Sequence, residues 1–139
     1  MRRVRRRGFT IIEVIVIVVI LGVIAALIAP RLISRVGQSK QSVARANAAS
    51  LASQVRLFET DHRRVQPGDS ISILWERPGD VAETGWEPYV NSPDALVDPW
   101  GNMFVLVIPG EKNYDFDVVS YGADGQPGGE GENQDVRAP

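Results

Sequence analysis

From Phe9 to Ala29 the chain carries one charged side chain, Glu13, in a run otherwise made of aliphatic residues with Phe9, Thr10 and Gly22. As a helix rising about 1.5 Å per residue, the run is about 31 Å long, close to the thickness of a bilayer's hydrocarbon core. A carboxylate at mid-bilayer costs about 2.5–3.5 kcal/mol on insertion scales and usually has a specific partner. Glu13 sits one turn inside the run, where snorkelling reduces that cost. The residues alone therefore allow two readings: a signal anchor that tolerates an acid near its end, or a helix in which Glu13 has a task. Five arginines precede Gly8. Basic residues gathered on that side predict a cytoplasmic amino terminus, with the rest of the chain across the membrane.

At 139 residues the chain has room for an anchor and one small domain. It has no cysteine, so disulfides and thiolate chemistry are excluded. The formal charge of −2 hides an asymmetry. Beyond the five leader arginines, 10 basic side chains face 17 acidic ones, a balance of −7. That sign argues against nucleic acid as a partner, because phosphate binding needs a basic footprint.

Gly22 and Pro30 interrupt the helical signal, and a kink is expected near Pro30 as the helix leaves the apolar zone. Ala44, Ala48, Leu51, Val55 and Phe58 then recur at spacings of 4, 3, 4 and 3. That is one face of an amphipathic helix. A single helix from Phe9 to about Asp61 would run about 80 Å. His62, the only histidine, reads as a solvated residue at the helix end rather than a ligand or catalyst. Residues 66–98 are rich in Pro, Gly, Asp and Ser, and Ile71–Trp75 offers a packing segment that could be strand or short helix. Trp86 and Tyr89 read as core plugs from an extended loop.

Asp98-Pro99-Trp100-Gly101-Asn102 is a turn by its chemistry. Met103–Ile108 and Asp117–Ser120 read as strands of a two- or three-stranded antiparallel sheet laid over the helical stripe. The expected fold is α+β: a long N-terminal helix, transmembrane in its first half and amphipathic in its second, on a small sheet. Six of the ten residues Gly122–Gly131 are glycine or proline, which excludes helix and sheet there. Composition leaves two options for this stretch, a disordered acidic tail or a loop that gathers oxygens around calcium. An EF-hand does not fit, since Asp135 stands where its final glutamate belongs and flanking helices are missing.

Two groups of residues carry a family resemblance. Gly8-Phe9-Thr10-Ile11-Ile12-Glu13 after a basic leader resembles the class III signal of type IV pilins and pseudopilins. The resemblance implies cleavage between Gly8 and Phe9 by a prepilin peptidase, methylation of the Phe9 amine, and retention of the apolar helix. The residues Asp98–Asn102, Ser120–Gly125 and Gly128–Gly131 resemble the major pseudopilins of the type II secretion system. That likeness implies a calcium site in the carboxy-terminal loop, with the Tyr121 carbonyl, Asp124, and Glu130 or Glu132 as ligands. The sequence departs from the family at Val65-Gln66-Pro67 and Glu87-Pro88-Tyr89, where loop packing is affected.

The implied organisation is a leader over residues 1–8, a transmembrane helix over 9–30 and a periplasmic domain over 31–139. The implied function is that of a non-enzymatic major subunit of a secretion pseudopilus. It would polymerise with itself, with minor pseudopilins and an assembly platform, in the inner membrane, to export folded proteins across the outer membrane. Glu13 is then expected to pair with the Phe9 amine of a neighbouring subunit during assembly. The alternatives are a type IV pilin or competence pseudopilin, disfavoured by the missing cysteines, and a membrane-anchored periplasmic enzyme. One histidine, no cysteine and no phosphate loop leave an enzyme little to work with.

Overall fold

The computed structural model describes residues 8–138, and the side chains of residues 30–35 fall outside that description. The expected leader therefore lies outside the described residues except for Gly8. The chain divides into two compact units that meet between Val36 and Gly37.

Helix α1 runs Ile11–Asp61. Thr10 begins it: the Glu13 N–H donates to Thr10 Oγ1 at 3.3 Å, and the Val14 N–H donates to the Thr10 carbonyl at 3.2 Å. Thr-x-x-Glu is the spacing of a capping box, in which the cap hydroxyl satisfies an amide that has no partner inside the helix. Pro30 does not end α1. In the first unit, Ile11–Ala29 has a mean hydropathy of 3.3 and no residue of it is buried. Exposed aliphatic surface of that extent, on a helix long enough to span a bilayer, is consistent with membrane anchoring.

The second unit is built on the amphipathic half of α1. Ala44, Ala48, Leu51, Val55 and Phe58 are all buried, as their spacing predicts. Facing them is a three-stranded antiparallel sheet of order β1-β2-β3, with β1 Val105–Val107, β2 Asp117–Ser120 and β3 Val136–Arg137. Val105, Leu106 and Val107 pair with Val119, Val118 and Asp117, and β3 sets Val136 opposite Ser120. Every residue of the central strand β2 is buried. Leu51, Val55 and Phe58 share one core with Ile71, Leu74, Leu96, Phe104, Leu106, Phe116 and Val118. The architecture is the expected α+β arrangement.

Ile71–Leu74, open between strand and short helix in the sequence, is a 3-10 turn capped by Ser70. Two further details go beyond the sequence reading. Strand β3 follows the glycine-rich loop and has no signal of its own, because two residues are too few to show alternation. His62 is not simply solvated. Its ring packs 5.2 Å from Phe58 and 6.0 Å from Tyr89, and its Nε2 is buried. The Tyr89 hydroxyl donates to Asp61 at 3.0 Å. Burial first, and then that bond to a carboxylate, push the Tyr89 phenol up to about 12.

Candidate functional site

Two regions hold the residues singled out above. At the amino end, Phe9 is 77% exposed, and nothing lies within 4 Å of the position a Cβ would take at Gly8. The Gly8–Phe9 junction precedes the helix in chain without regular structure. Glu13 is exposed in the first turn of α1, where the helix dipole favours a negative charge.

The second region is the loop between β2 and β3. Its two arms close on each other: the Ala123 N–H donates to the Glu132 carbonyl at 2.9 Å. This approach requires glycine at position 122, where φ is +66° and a Cβ would lie 2.6 Å from the Glu132 carbonyl oxygen. Gly129 meets the same constraint at φ +88°, with the Asn133 carbonyl oxygen 2.6 Å from its would-be Cβ.

The entry arm is held by the Asp98–Asn102 turn. Asp98 is buried, and its Oδ1 accepts from the N–H groups of Trp100 and Asn102 at 3.0 and 2.9 Å. Its Oδ2 accepts from the Ser120 hydroxyl at 2.6 Å, and Ser120 Oγ in turn accepts from the Gly122 N–H at 3.2 Å. The exit arm lies on α1, where Gln41 Nε2 donates to the Gly131 carbonyl.

The expected ligands are spread along this loop. Tyr121 is half-buried, and Asp124 is exposed with its Oδ1 accepting from the Gln126 N–H at 3.1 Å. Glu130 precedes the 3-10 turn Gly131–Asn133. Glu132 lays its side chain over Gly37 of α1, 2.6 Å from where a Cβ would stand. Asp135, which the sequence reading did not use as a ligand, accepts from the Gly128 N–H at 2.9 Å and sits 3.5 Å from Arg137. Among the described residues, no group of three or more His, Cys, Asp or Glu side chains could hold a metal ion, so Asp124, Glu130 and Glu132 do not converge. Their chemistry nonetheless suits calcium: every expected donor is an oxygen.

Asp117 in β2 is a fully buried carboxylate outside this loop. It accepts from the N–H groups of Glu111, Lys112 and Asn113 and from Asn113 Nδ2, at 2.7 to 2.9 Å. Burial alone would push its carboxyl up, but these donors prevail and hold it below the usual carboxylate range. The result is a closed turn between β1 and β2 rather than a reactive acid.

Sequence reasoning found the Asp98–Asn102 turn but not its reach to Ser120 and Gly122. No local pattern signals a contact between residues 22 positions apart.

Comparison with known proteins follows the same division. The family model described as "Type II secretion system (T2SS), protein G" matches residues 31–139, and one described as "Prokaryotic N-terminal methylation motif" matches residues 3–29. The type II secretion system core protein G of Pseudomonas aeruginosa is 36% identical over 140 residues, covering 98% of this chain and 96% of that protein. Those of Dickeya chrysanthemi and Escherichia coli strain K12 are 34% and 33% identical, covering 88% and 91% of this chain and 81% and 88% of theirs. In fold, the chain is similar to the crystal structure of the major pseudopilin from the type 2 secretion system of enterohaemorrhagic Escherichia coli. The TM-score is 0.59 at 23% identity, over 78% of this chain and 93% of that one.

Proposed function

Because the chain belongs to the protein G family of the type II secretion system, we propose that it is the major structural subunit of a secretion pseudopilus, polymerising to drive export of folded proteins. The family is one of pseudopilus subunits, not enzymes. The observation that carries this reading is the pairing of a methylation-type amino terminus with a protein G domain over all of residues 31–139.

The proposed organisation is a leader over 1–8, a transmembrane helix over 9–30 and a periplasmic domain over 31–139, in the inner membrane with the amino terminus cytoplasmic. Gly8 and Phe9 are the cleavage and methylation site, and Glu13 serves assembly. Apolar helices leave lipid readily only where they bury against one another, and a buried Glu13 carboxylate then needs a cation such as a neighbouring Phe9 amine. Minor pseudopilins, the assembly platform and the prepilin peptidase are the proposed partners. Calcium is the proposed ligand of the β2–β3 loop, through the Tyr121 carbonyl, Asp124, and Glu130 or Glu132; oxygen-only donors and the resemblance support it. Bound there, calcium would supply a fixed positive charge against which these oxygens order.

Intact-mass measurement on protein from cells with the secretion machinery tests the reading. The expected mass is that of a chain beginning at methylated Phe9, found in sheared filaments visible by electron microscopy. A mature start beyond Ala29, or an uncut Met1 in every fraction, would overturn it.

A further inference from the structure

A loop as rich in glycine as 121–131 would be left loose by its composition, since each ordered residue loses backbone freedom. Here, however, both arms are tied to other elements. The buried Asp98 carboxylate holds Ser120 Oγ at 2.6 Å, and Ser120 Oγ holds the Gly122 N–H at 3.2 Å. Asn102 Nδ2 donates to the Gly122 carbonyl at 2.7 Å, so both backbone polar groups of Gly122 are fixed from outside the loop's centre. At the other end Gln41 holds the Gly131 carbonyl, and Glu132 occupies the space that Gly37 leaves on α1. The Ala123 N–H to Glu132 carbonyl bond joins the two arms.

We infer that this segment is a strap held in place by the protein's own hydrogen bonds, with Asn102 as the positioning residue of its entry and Gln41 that of its exit. Neither side chain needs to touch a ligand. Their effect is to shorten the stretch that remains to be ordered to residues 124–130, which carries Asp124 and Glu130 and is held from outside at the Gly128 N–H, by Asp135. A cation bound there would order only that stretch, so the two ties set its affinity. This last step rests on the proposed calcium reading; the strap itself does not.

Hydrogen exchange of the full chain in detergent, read at single amides by magnetic resonance, separates the two. In chelator, the Gly122 and Ala123 amides should exchange more slowly than those of Gly125, Gly129 and Glu130. Asn102→Ala and Gln41→Ala should each speed exchange at Ala123 about three- to tenfold, the weight of one hydrogen bond, while amides in the middle of α1 keep their rates. A merely general loss of stability would speed all of them together. Calcium should slow exchange over 124–130 in the wild-type chain, with an apparent affinity that falls by a similar factor in Asn102→Ala. Unprotected Ala123 in wild type, or Ala123 rates unchanged in both variants, would overturn the strap. A protected Ala123 with no calcium effect on 124–130 would sink the calcium reading and leave the strap standing.

Discussion

Asp117 shows how one buried charge can organise a turn. Its carboxylate accepts from three consecutive backbone N–H groups, from Glu111 to Asn113. The donors belong to exposed or half-buried residues that water can reach once the acceptor is gone, so Asp117→Ala should lower unfolding free energy by about 1–3 kcal/mol in urea titrations. The acid also ties stability to pH. Its carboxyl is depressed in the folded chain, so its contribution is complete above the unfolded value of about 4 and is lost as pH falls through the lower folded value. Melting temperature should therefore drop below about pH 4, and Asp117→Asn, starting lower, should show a shallower acid limb. Glu13 poses the opposite case, an exposed acid in an apolar helix. Glu13→Val should insert and be cleaved normally yet assemble poorly; filaments at wild-type yield would reduce Glu13 to a tolerated residue. Since the Glu13 N–H, not its side chain, makes the bond to Thr10, the valine variant keeps that half of the cap.

Helix α1 ends where its last charged residues meet the following loop. Arg63, just beyond the helix, donates to Asp69 at 2.8 and 3.1 Å and to Asp80 at 2.5 and 3.2 Å. The Arg63 fork holds the Asp69 carboxyl below the usual range, against the opposing effect of burial. A planar guanidinium can serve two carboxylates at fixed angles, whereas an ammonium on a flexible stem cannot. Arg63→Lys should therefore lose most of what Arg63→Ala loses, about 1–3 kcal/mol in thermal or urea unfolding. Full retention of stability by the lysine variant would show that charge alone, without the fork, fastens this loop. The same stretch encloses His62 between Phe58 and Tyr89, so the helix end is a packed corner rather than a frayed tip.

For the molecule as a whole, the proposed cation gives a change in stability that can be read directly. A ligand that binds only the folded state at a hundred times its dissociation constant adds about 2.7 kcal/mol, a large share of a small domain's stability. The full chain in detergent should melt higher in calcium than in chelator, and magnesium should substitute poorly because it demands a tighter octahedron. Asp124→Ala should abolish the shift, and Asp94→Ala, outside the loop, should leave it. Glu130→Ala and Glu132→Ala assign the remaining acid; Glu132, already laid over Gly37, would have to turn away from α1 to serve. Equal melting with calcium and chelator would remove the ion from the account.

Much of this organisation is legible in the residue order because its causes are local. The apolar run Ile11–Ala29, the 4-3-4-3 stripe from Ala44 to Phe58, the Asp98–Asn102 turn and strand β2 are each set by neighbours within a few positions. Hydropathy, helical period and turn chemistry need nothing from the rest of the chain. The candidate loop is different. That Asp98 reaches Ser120, that Gln41 reaches Gly131, and that β3 forms at all depend on where the chain returns after the glycines. Such bonds are stable only once the core has brought the partners together, since the entropy of closing the intervening chain opposes each contact taken alone. Sequence order therefore determined the anchor, the helix stripe and the turn, while tertiary packing decided which side chains hold the loop.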